Sequence, residues 1–275
     1  MLFDPVFSER TSPSSFFGPK RYSPTPCTLE ELPEPDIVCI SHNHYDHLDH
    51  ATVSQLHRRG LGQIHFFAAL GNKDWFQQNV PCQGDEVTEL DWWDSRTVEV
   101  EGIGSINLTC TPTQHISRRS LRDGNRALWC SFALEGAGKK LYFSGDTAYQ
   151  AADTPSPCSA FEEIGKVLGP FDLSYLPIGL YSPPHLMGNV HATPEQSIRI
   201  HQDVNSKLSI GMHYGTFRGG ISAHYEDVRE PPQRWRDAAL KEDIWCGGGI
   251  AGDGSEVDRT KEGVGLCHLG ETITV

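Results

Sequence analysis

The sequence lacks a long apolar segment and a recognisable leader. None of its 275 residues belongs to a run approaching the roughly eighteen apolar residues that a membrane-spanning helix needs. Residues 1–5 carry neither the basic nor the long apolar region of a signal peptide. We therefore expect an intracellular protein without a transmembrane segment, either soluble or peripherally associated with a membrane.

Positive charge and clustered cysteines are also scarce. Lys and Arg number 23 against 36 Asp and Glu, and the resulting net charge of −13 argues against a nucleic-acid partner. The eight cysteines are scattered without a CxxC pair, so we expect reduced thiols. With a nucleic-acid partner disfavoured, we expect the substrate to be a small molecule or a lipid. The sequence is also compatible with a homodimer.

The hydrophobic pattern predicts an α/β fold in one domain spanning residues 1–275. Strands are expected at 36–40, 63–69, 86–91, 96–101, 106–112, 127–134, 140–144, 172–178, 208–212 and 264–269. Helices are expected at 49–60, 72–78, 161–167, 193–203 and 232–241. Many strands with helices in two groups indicate two packed sheets covered by helices. Residues 8–35 are expected to be irregular, and residues 246–263 to form a glycine-rich loop insertion.

The stretch 41–50, SHNHYDHLDH, contains four histidines and two aspartates directly after a predicted strand. Imidazole and carboxylate groups suit zinc and its neighbours among the transition metals. We expect His42 and His44 to share one ion. The chain turns before Asp46 and His47, which can then reach a second ion about 3.5–4 Å away.

Three further ligand candidates, His115, Asp146 and His213, each follow a predicted strand. A single histidine at a strand end is about as often a hydrogen-bonded core or rim group, but the cluster at 41–50 favours the ligand reading. The predicted first ion is held by His42, His44 and His115, the second by Asp46, His47 and His213, and Asp146 bridges them. Zn²⁺ is the expected metal, although iron and manganese also accept these ligand types.

The same residues resemble the metallo-β-lactamase superfamily, whose αββα sandwich carries the HxHxDH motif. Further segments resemble its N-acylphosphatidylethanolamine-hydrolysing phospholipase D family, namely DPVFS at 4–8, GPKR at 18–21, LDWW at 90–93, TQH at 113–115, GDT at 145–147, FEEIG at 161–165, GPFD at 169–172 and HYGTF at 213–217. The resemblance implies a zinc-dependent phosphodiesterase that releases an N-acylethanolamine and a phosphatidic acid. Only three residues precede the DPVFS segment, so we expect the family's first β-hairpin to be missing and a sheet edge to be exposed.

Carried over by position, the resemblance also implies substrate-binding residues. His191 matches a position near the substrate phosphate, although it also reads as an ordinary loop residue before a helix. Trp92, Trp93, Gln114 and Tyr181 are candidates for the pocket wall, although such aromatics more often pack in a core or an interface.

The expected mechanism is metal-assisted hydrolysis, in which a hydroxide shared between the two ions attacks phosphorus. Asp46, Asp146 and His191 are the predicted catalytic residues. Two alternatives remain open from the sequence. One is hydrolysis of an ester, lactone or thioester, in which the same nucleophile attacks carbon. The other is a non-catalytic, metal-binding relative.

Overall fold

A computed structural model describes residues 1–60, 63–151, 154–219, 224–249 and 255–275. Its helices are α1 (His50–Gly60), α2 (Lys73–Asn79), α3 (Ala160–Val167), α4 (Pro184–Met187), α5 (Pro194–Asp203) and α6 (Glu230–Lys241). Its first seven strands are β1 (Leu2–Phe3), β2 (Lys20–Arg21), β3 (Ile37–Ile40), β4 (His65–Ala69), β5 (Val87–Leu90), β6 (Ser95–Val100) and β7 (Gly104–Thr111). The others are β8 (Ser131–Gly136), β9 (Lys139–Phe143), β10 (Phe171–Pro177), β11 (Ser206–Met212), β12 (Phe217–Arg218), β13 (Trp245–Gly247) and β14 (Gly263–Gly265).

The smaller sheet has the order β1-β3-β4-β5, and all of its strands are parallel. Strand β3 is apolar throughout because both of its faces are covered. Val38 and Ile40 pack under the helices on one side, while Ile37 and Cys39 pack against the second sheet. The alternation follows from the two-residue period of a strand, and it explains why β3 reads as a continuous apolar run.

The larger sheet has the order β13-β14-β11-β10-β9-β8-β7-β6. Strands β6 to β9 form an antiparallel meander, and β9, β10, β11, β14 and β13 are parallel neighbours. The two sheets face each other across an apolar core in which Phe67 and Leu90 of the smaller sheet meet Leu108 and Phe132 of the larger one. Apolar side chains on the inner faces of the two sheets therefore hold the sheets together.

Helices cover the outer face of each sheet. Val53 of α1 and Phe76 of α2 pack on the smaller sheet, and Phe161, Ile198 and Trp235, from α3, α5 and α6, pack on the larger one. This confirms the predicted αββα sandwich. The capping box that predicted the start of α5 is also present, with the Thr193 side chain accepting from the Gln196 backbone N–H at 3.2 Å.

Several short elements escaped the sequence pattern. Strands β1, β2, β12 and β13 and helix α4 have at most four residues each, too few for a periodic signal. Strand β1 is an edge of the smaller sheet, and the exposure of that edge stays a prediction. The single-domain assignment remains a prediction.

The predicted loop at 246–263 is partly wrong. Residues 246–247 belong to β13 and residue 263 to β14, while residues 250–254 lie outside the described part. We predicted a loop from the glycine content, but at Gly263 the glycine allows a strand to lie close to the neighbouring backbone. A Cβ on Gly263 would lie 2.0 Å from the Ile244 carbonyl oxygen, and this glycine has a φ of +151°.

The cysteine and membrane expectations can also be compared with the structure. All eight cysteines lie in the described ranges, and each is a free thiol. Within those ranges, no helix is long and apolar enough to cross a membrane.

Candidate metal centre

The predicted ligands converge because their strands end at one edge of the sandwich. His42 and His44 follow β3, His115 follows β7, Asp146 follows β9 and His213 follows β11. In the larger sheet, β7, β9 and β11 run in the same direction, since β8 is antiparallel to both β7 and β9 and β10 is parallel to both β9 and β11. Their carboxyl ends therefore lie at the same edge of the sheet, as ligand-bearing strand ends do in open α/β sheets.

The first group of ligand atoms comprises His42 Nε2, His44 Nδ1, His115 Nε2 and Asp146 Oδ2. His44 Nδ1 lies 2.9 Å from His42 Nε2 and 3.2 Å from His115 Nε2. Asp146 Oδ2 lies 3.8 Å from both of the other imidazole nitrogens. Ligands placed tetrahedrally at about 2.0–2.1 Å from a zinc ion would be about 3.3 Å apart, a value that these spacings bracket.

The second group comprises Asp46, His47 and His213, with Asp146 beside them. Nε2 of His47 lies 3.1 Å from Nε2 of His213. Asp46 Oδ2 lies 3.9 Å and 3.7 Å from these two nitrogens. Asp146 contacts both histidines at 3.1 Å, through Oδ2 to His47 and Oδ1 to His213. Asp146 thus adjoins both groups, and all seven predicted ligands come together.

The protonation state of the first group suits metal binding. Burial lowers the pKa of His42 and of His115 well below the usual histidine value, so both rings are neutral and each keeps a lone pair. Burial opposes ionisation of Asp146, but His213 and His47 hold its pKa well below the ordinary range. Neutral imidazole and ionised carboxylate are the forms that bind metal ions.

A buried carboxylate oxygen without a hydrogen bond supports the same conclusion. Asp146 Oδ1 is buried, and among the described residues it accepts no hydrogen bond of good geometry. Leaving such an atom unsatisfied costs about 1–3 kcal/mol or more, and a cation at the cluster would satisfy it. The donor set and this oxygen together show that the cluster can bind metal ions.

Asp4 is a residue of the centre that the sequence did not single out for any role. Its Oδ2 accepts a hydrogen bond from His47 Nδ1 at 2.7 Å and one from the Ser41 hydroxyl at 2.6 Å, and its Oδ1 accepts from the Ser41 backbone N–H at 2.7 Å. The bond to Nδ1 directs His47 Nε2 towards the cluster, and such carboxylate–histidine pairs tune metal ligands.

Arg119 holds the backbone of the ligand loop in place, and the sequence did not single out this residue for any role. Its Nη1 donates to the carbonyl oxygens of Asn43 at 2.8 Å and Leu48 at 2.7 Å. Its guanidinium stacks over the ring of Tyr45, with 4.0 Å between the guanidinium carbon and the ring centroid. A half-buried arginine thereby satisfies carbonyl groups that the sharp turn leaves without backbone partners.

The backbone is unusual at the ligands themselves. His213 has a φ of +61° and Asp4 a φ of +41°, both in the left-handed region that non-glycine residues rarely adopt. Gly145 has a φ of +57°, and a Cβ there would lie 2.7 Å from the Ser41 Cβ. Glycine before Asp146 therefore allows the β9 end and the ligand loop to approach closely.

His191 lies beside the cluster, at the end of the loop between α4 and α5. Its Nδ1 is 4.0 Å from Asp146 Oδ2, and its ring stacks on that of His213 with centroids 5.6 Å apart. Burial lowers its pKa to about 4, so the ring is neutral at pH 7. The structure thus brings the third predicted catalytic residue to the centre.

A cleft of about 520 Å³ opens onto the cluster. His44, Asp46, His47 and His213 form its floor. Described apolar residues of its wall include Phe3, Val6, Phe143, Leu180, Met187, Met212 and Phe217, and the cations of its wall are Arg21, Arg118 and Arg218. Concave sites of this size with a few convergent polar groups are the usual form of ligand pockets.

The four predicted wall residues do not line this cleft. Trp92 is partly buried and packs against the core between the sheets, and its Nε1 donates to the Trp129 carbonyl oxygen at 2.7 Å. Trp93 lies in the same turn and is 37% exposed. Gln114 is tied to the neighbouring loop, where its backbone N–H donates to the Thr147 hydroxyl at 2.9 Å. The structure therefore places these residues outside the wall of this cleft, and their substrate-binding role stays a prediction.

Tyr181 is excluded from the cleft for a specific reason. The Glu226 carboxylate accepts from the backbone N–H groups of Leu180 at 2.9 Å and Tyr181 at 3.0 Å. Leu180, with a φ of +67°, lines the cleft, whereas the Tyr181 ring is buried and its hydroxyl donates to Glu230 at 2.9 Å. The left-handed turn presents one side chain to the cleft and the next to the interior.

Comparisons with known proteins agree with this geometry. The sequence model of the family described as Beta-lactamase superfamily domain matches residues 1–214. The chain is 39% identical to N-acyl-phosphatidylethanolamine-hydrolyzing phospholipase D 1 of Caenorhabditis elegans, with 88% of this chain and 65% of the relative covered. It is 34% identical to the mitochondrial N-acyl-phosphatidylethanolamine-hydrolyzing phospholipase D of Saccharomyces cerevisiae, with 79% and 44% covered. It thus spans less than two thirds of either relative.

A solved structure shows the same fold. The isothiocyanate hydrolase from Delia radicum gut bacteria superimposes with a TM-score of 0.60 at 16% identity, covering 99% of this chain and 91% of that chain. Because the family model covers most of the chain, the chain belongs to the β-lactamase superfamily, and its cluster of histidines and aspartates can bind metal ions.

Proposed function

We propose that the protein is a phosphodiesterase of phospholipase D type that acts on N-acylphosphatidylethanolamine-like phospholipids. The observation that carries the proposal is the composition of the cleft. It joins ligand side chains, three arginines and an apolar wall in one cavity. A phospholipid has the matching parts, which are a scissile phosphodiester, a negative charge and acyl chains.

The arginines favour an anionic substrate. They converge on the cleft although the chain as a whole has a net charge of −13. Arg21 is held by the Val6 carbonyl oxygen at 2.6 Å and stacks over Phe217, and Arg218 donates to the Glu226 carbonyl oxygen at 3.1 Å. Arg118 makes no hydrogen bond or ion pair with the described residues. It is free to bind a phosphate oxygen, for which guanidinium geometry is well suited.

Two divalent ions, with zinc favoured by the imidazole and carboxylate donors, would polarise a phosphoryl oxygen and lower the pKa of water. Asp146 adjoins both ligand groups and supplies the negative charge between them. His191, neutral and buried beside Asp146, offers a ring nitrogen for a hydrogen bond to a phosphate oxygen. Asp46 belongs to the second ligand group and His191 lies beside Asp146, so the proposal keeps a catalytic role for both.

The relatives support the lipid class. Two of them are named N-acyl-phosphatidylethanolamine-hydrolyzing phospholipase D, one from a nematode and one from a yeast. The chain covers only part of each, so their activity as whole proteins is a proposal for this chain.

Exposed apolar side chains next to the cleft favour contact with a lipid surface. Phe16 and Phe17 are 79% and 77% exposed, in a loop whose flanking residues Thr11 and Pro19 line the cleft. Leu121, 92% exposed, lies three residues beyond the cleft residue Arg118. Exposed aromatic and aliphatic tips near cations are typical of peripheral insertion into the headgroup region.

The first experiment identifies the products. Metal-loaded protein is incubated with N-acylphosphatidylethanolamine and, separately, with an ester, lactone and thioester panel. We expect phosphatidic acid and N-acylethanolamine from the phospholipid. Faster cleavage of the panel would replace the proposal with carbon-centred hydrolysis, and two bound metals without any cleavage would indicate a non-catalytic relative.

Asp146→Asn is the matched test of the centre. Losing the charge between the two ligand groups should reduce turnover at least 100-fold, as expected for a group acting at the reacting centre. The circular dichroism spectrum should stay unchanged because the amide has the same shape. Turnover near that of the unmodified protein would contradict the assignment.

The surface contact is tested separately. Phe16→Ala combined with Phe17→Ala should weaken vesicle binding and slow hydrolysis of vesicle lipid, while hydrolysis of a short-chain monomeric phospholipid stays unchanged. The control replaces Ile103 and Leu269, which are 59% and 63% exposed and do not line the cleft, by alanine. Equal losses in both double variants would contradict a specific membrane contact.

A further inference from the structure

A second group of metal-ligand side chains lies apart from the proposed active centre. His57, Cys82 and Glu86 place one ligand atom each within 4.8 Å of one another. His57 Nε2 lies 3.1 Å from Glu86 Oε2. Among the described residues, Cys82 is the only cysteine in any such ligand group.

The three side chains come from two elements of the helical layer that covers the smaller sheet. His57 lies in α1, seven residues beyond its start and so about 10 Å along the helix axis from the ligand loop. Cys82 and Glu86 belong to the turn between α2 and β5. The Gln83 backbone N–H donates to the Glu86 carboxylate, and the Glu86 N–H donates back to the Gln83 carbonyl oxygen at 3.2 Å. The turn therefore holds its carboxylate in place before any ion binds.

The thiol distinguishes this cluster from an ordinary histidine–carboxylate pair. His57 and Glu86 alone would make an ordinary histidine–carboxylate pair, and their side chains are only 13% and 12% exposed. The pair does not require a cysteine beside it. Burial and the Glu86 carboxylate raise the pKa of Cys82 to about 11, so without metal the group is a neutral thiol. One thiolate and one carboxylate would neutralise a divalent cation, and sulfur, imidazole and carboxylate together suit zinc.

We propose that His57 Nε2, Cys82 Sγ and a Glu86 carboxylate oxygen form a further site for a zinc-type divalent cation. Binding forms the metal–sulfur bond, breaks the S–H bond and releases the proton to solvent, with no change in oxidation state. Water fills the remaining coordination position. The ion links the second half of α1 to the turn before β5, and it stabilises the outer layer rather than taking part in hydrolysis.

Cobalt provides a selective measurement. The proposed catalytic ligands are all histidine and aspartate, so cobalt bound there gives no thiolate-to-metal charge-transfer absorption in the near ultraviolet. Full-length protein stripped with a chelator is titrated with Co²⁺ alone. We expect this absorption in the unmodified protein and its loss in Cys82→Ser, together with the loss of one equivalent of bound cobalt. Cys267→Ser is the control, because Cys267 is also partly buried but belongs to no ligand group.

The outcomes separate this proposal from the catalytic one. His57→Gln should also lower the cobalt stoichiometry by one, and it provides a second variant if Cys82→Ser folds poorly. Absence of the charge-transfer band in the unmodified protein, or its survival in Cys82→Ser, overturns the site. Neither readout requires turnover, so the second site stands or falls independently of the substrate.

Discussion

Replacing Asp4 by Asn tests whether a carboxylate outside the ligand set controls the metal centre. Asp4 accepts three hydrogen bonds, one from His47 and two from Ser41, over distances of 2.6–2.7 Å. An asparagine has one acceptor oxygen in place of two. If that oxygen stays towards His47, its amide group faces the Ser41 N–H, so two donors meet in a nearly buried site.

Two separate magnitudes follow. The unsatisfied donors should lower the free energy of unfolding of the metal-free protein by about 1–3 kcal/mol. Loss of the negative charge behind His47 should weaken metal binding roughly 10- to 100-fold, the usual cost of removing such an outer partner, which corresponds to about 1.4–2.8 kcal/mol. The carboxylates of Asp146, Asp46 and Asp4 raise the pKa of His47 against the effect of burial, and the substitution removes one of these three charges.

The assay combines denaturant unfolding of the metal-free protein with competition for zinc against a coloured chelator. Asp172→Asn is the control. Asp172 also accepts a backbone N–H, from Lys140 at 2.8 Å, but it lies near the start of β10, about 16 Å along the strand from the end that adjoins the centre. The control should lose stability without losing metal affinity. Asp4→Asn with zinc affinity within threefold of the unmodified protein would refute the role assigned to Asp4.

Three further predictions concern backbone strain, pH and charge. Gly145→Ala should lower the free energy of unfolding by about 1–3 kcal/mol more than Gly138→Ala. Both glycines have a positive φ, but only a Cβ at position 145 would come within 2.7 Å of the ligand loop. Denaturant midpoints and slopes give the two free energies of unfolding. Burial lowers the pKa of His201 to about 4, so the unfolded chain takes up the proton first and stability should fall as the pH drops from about 6.5 to about 4. His201→Asn should remove up to about 3 kcal/mol of that dependence, and unchanged pH curves would contradict it. Arg118→Ala should raise KM for a phospholipid roughly tenfold or more, whereas Arg122→Ala, exposed in the same loop and outside the cleft, should not.

The sequence alone determined the sandwich and the identity of the ligand cluster. The β3 run is apolar because both faces are covered, and a strand of this kind is visible in composition. His42 and His44 follow it within a short turn, and His115, Asp146 and His213 each follow a strand of their own. The end of a strand can be recognised from a short stretch of sequence. Strands that run in the same direction end at the same edge of a sheet, so the ligand candidates could be identified without coordinates.

Only the tertiary structure decided the remainder of the site. Asp4 reaches His47 across 43 positions because β1 pairs with β3, and a two-residue strand leaves no periodic pattern. The cleft arginines come from three distant segments, and Tyr181 turns inward because Glu226, 45 positions away, holds its backbone N–H. These contacts depend on packing between elements, and the free energy that selects them is absent from any local window of sequence.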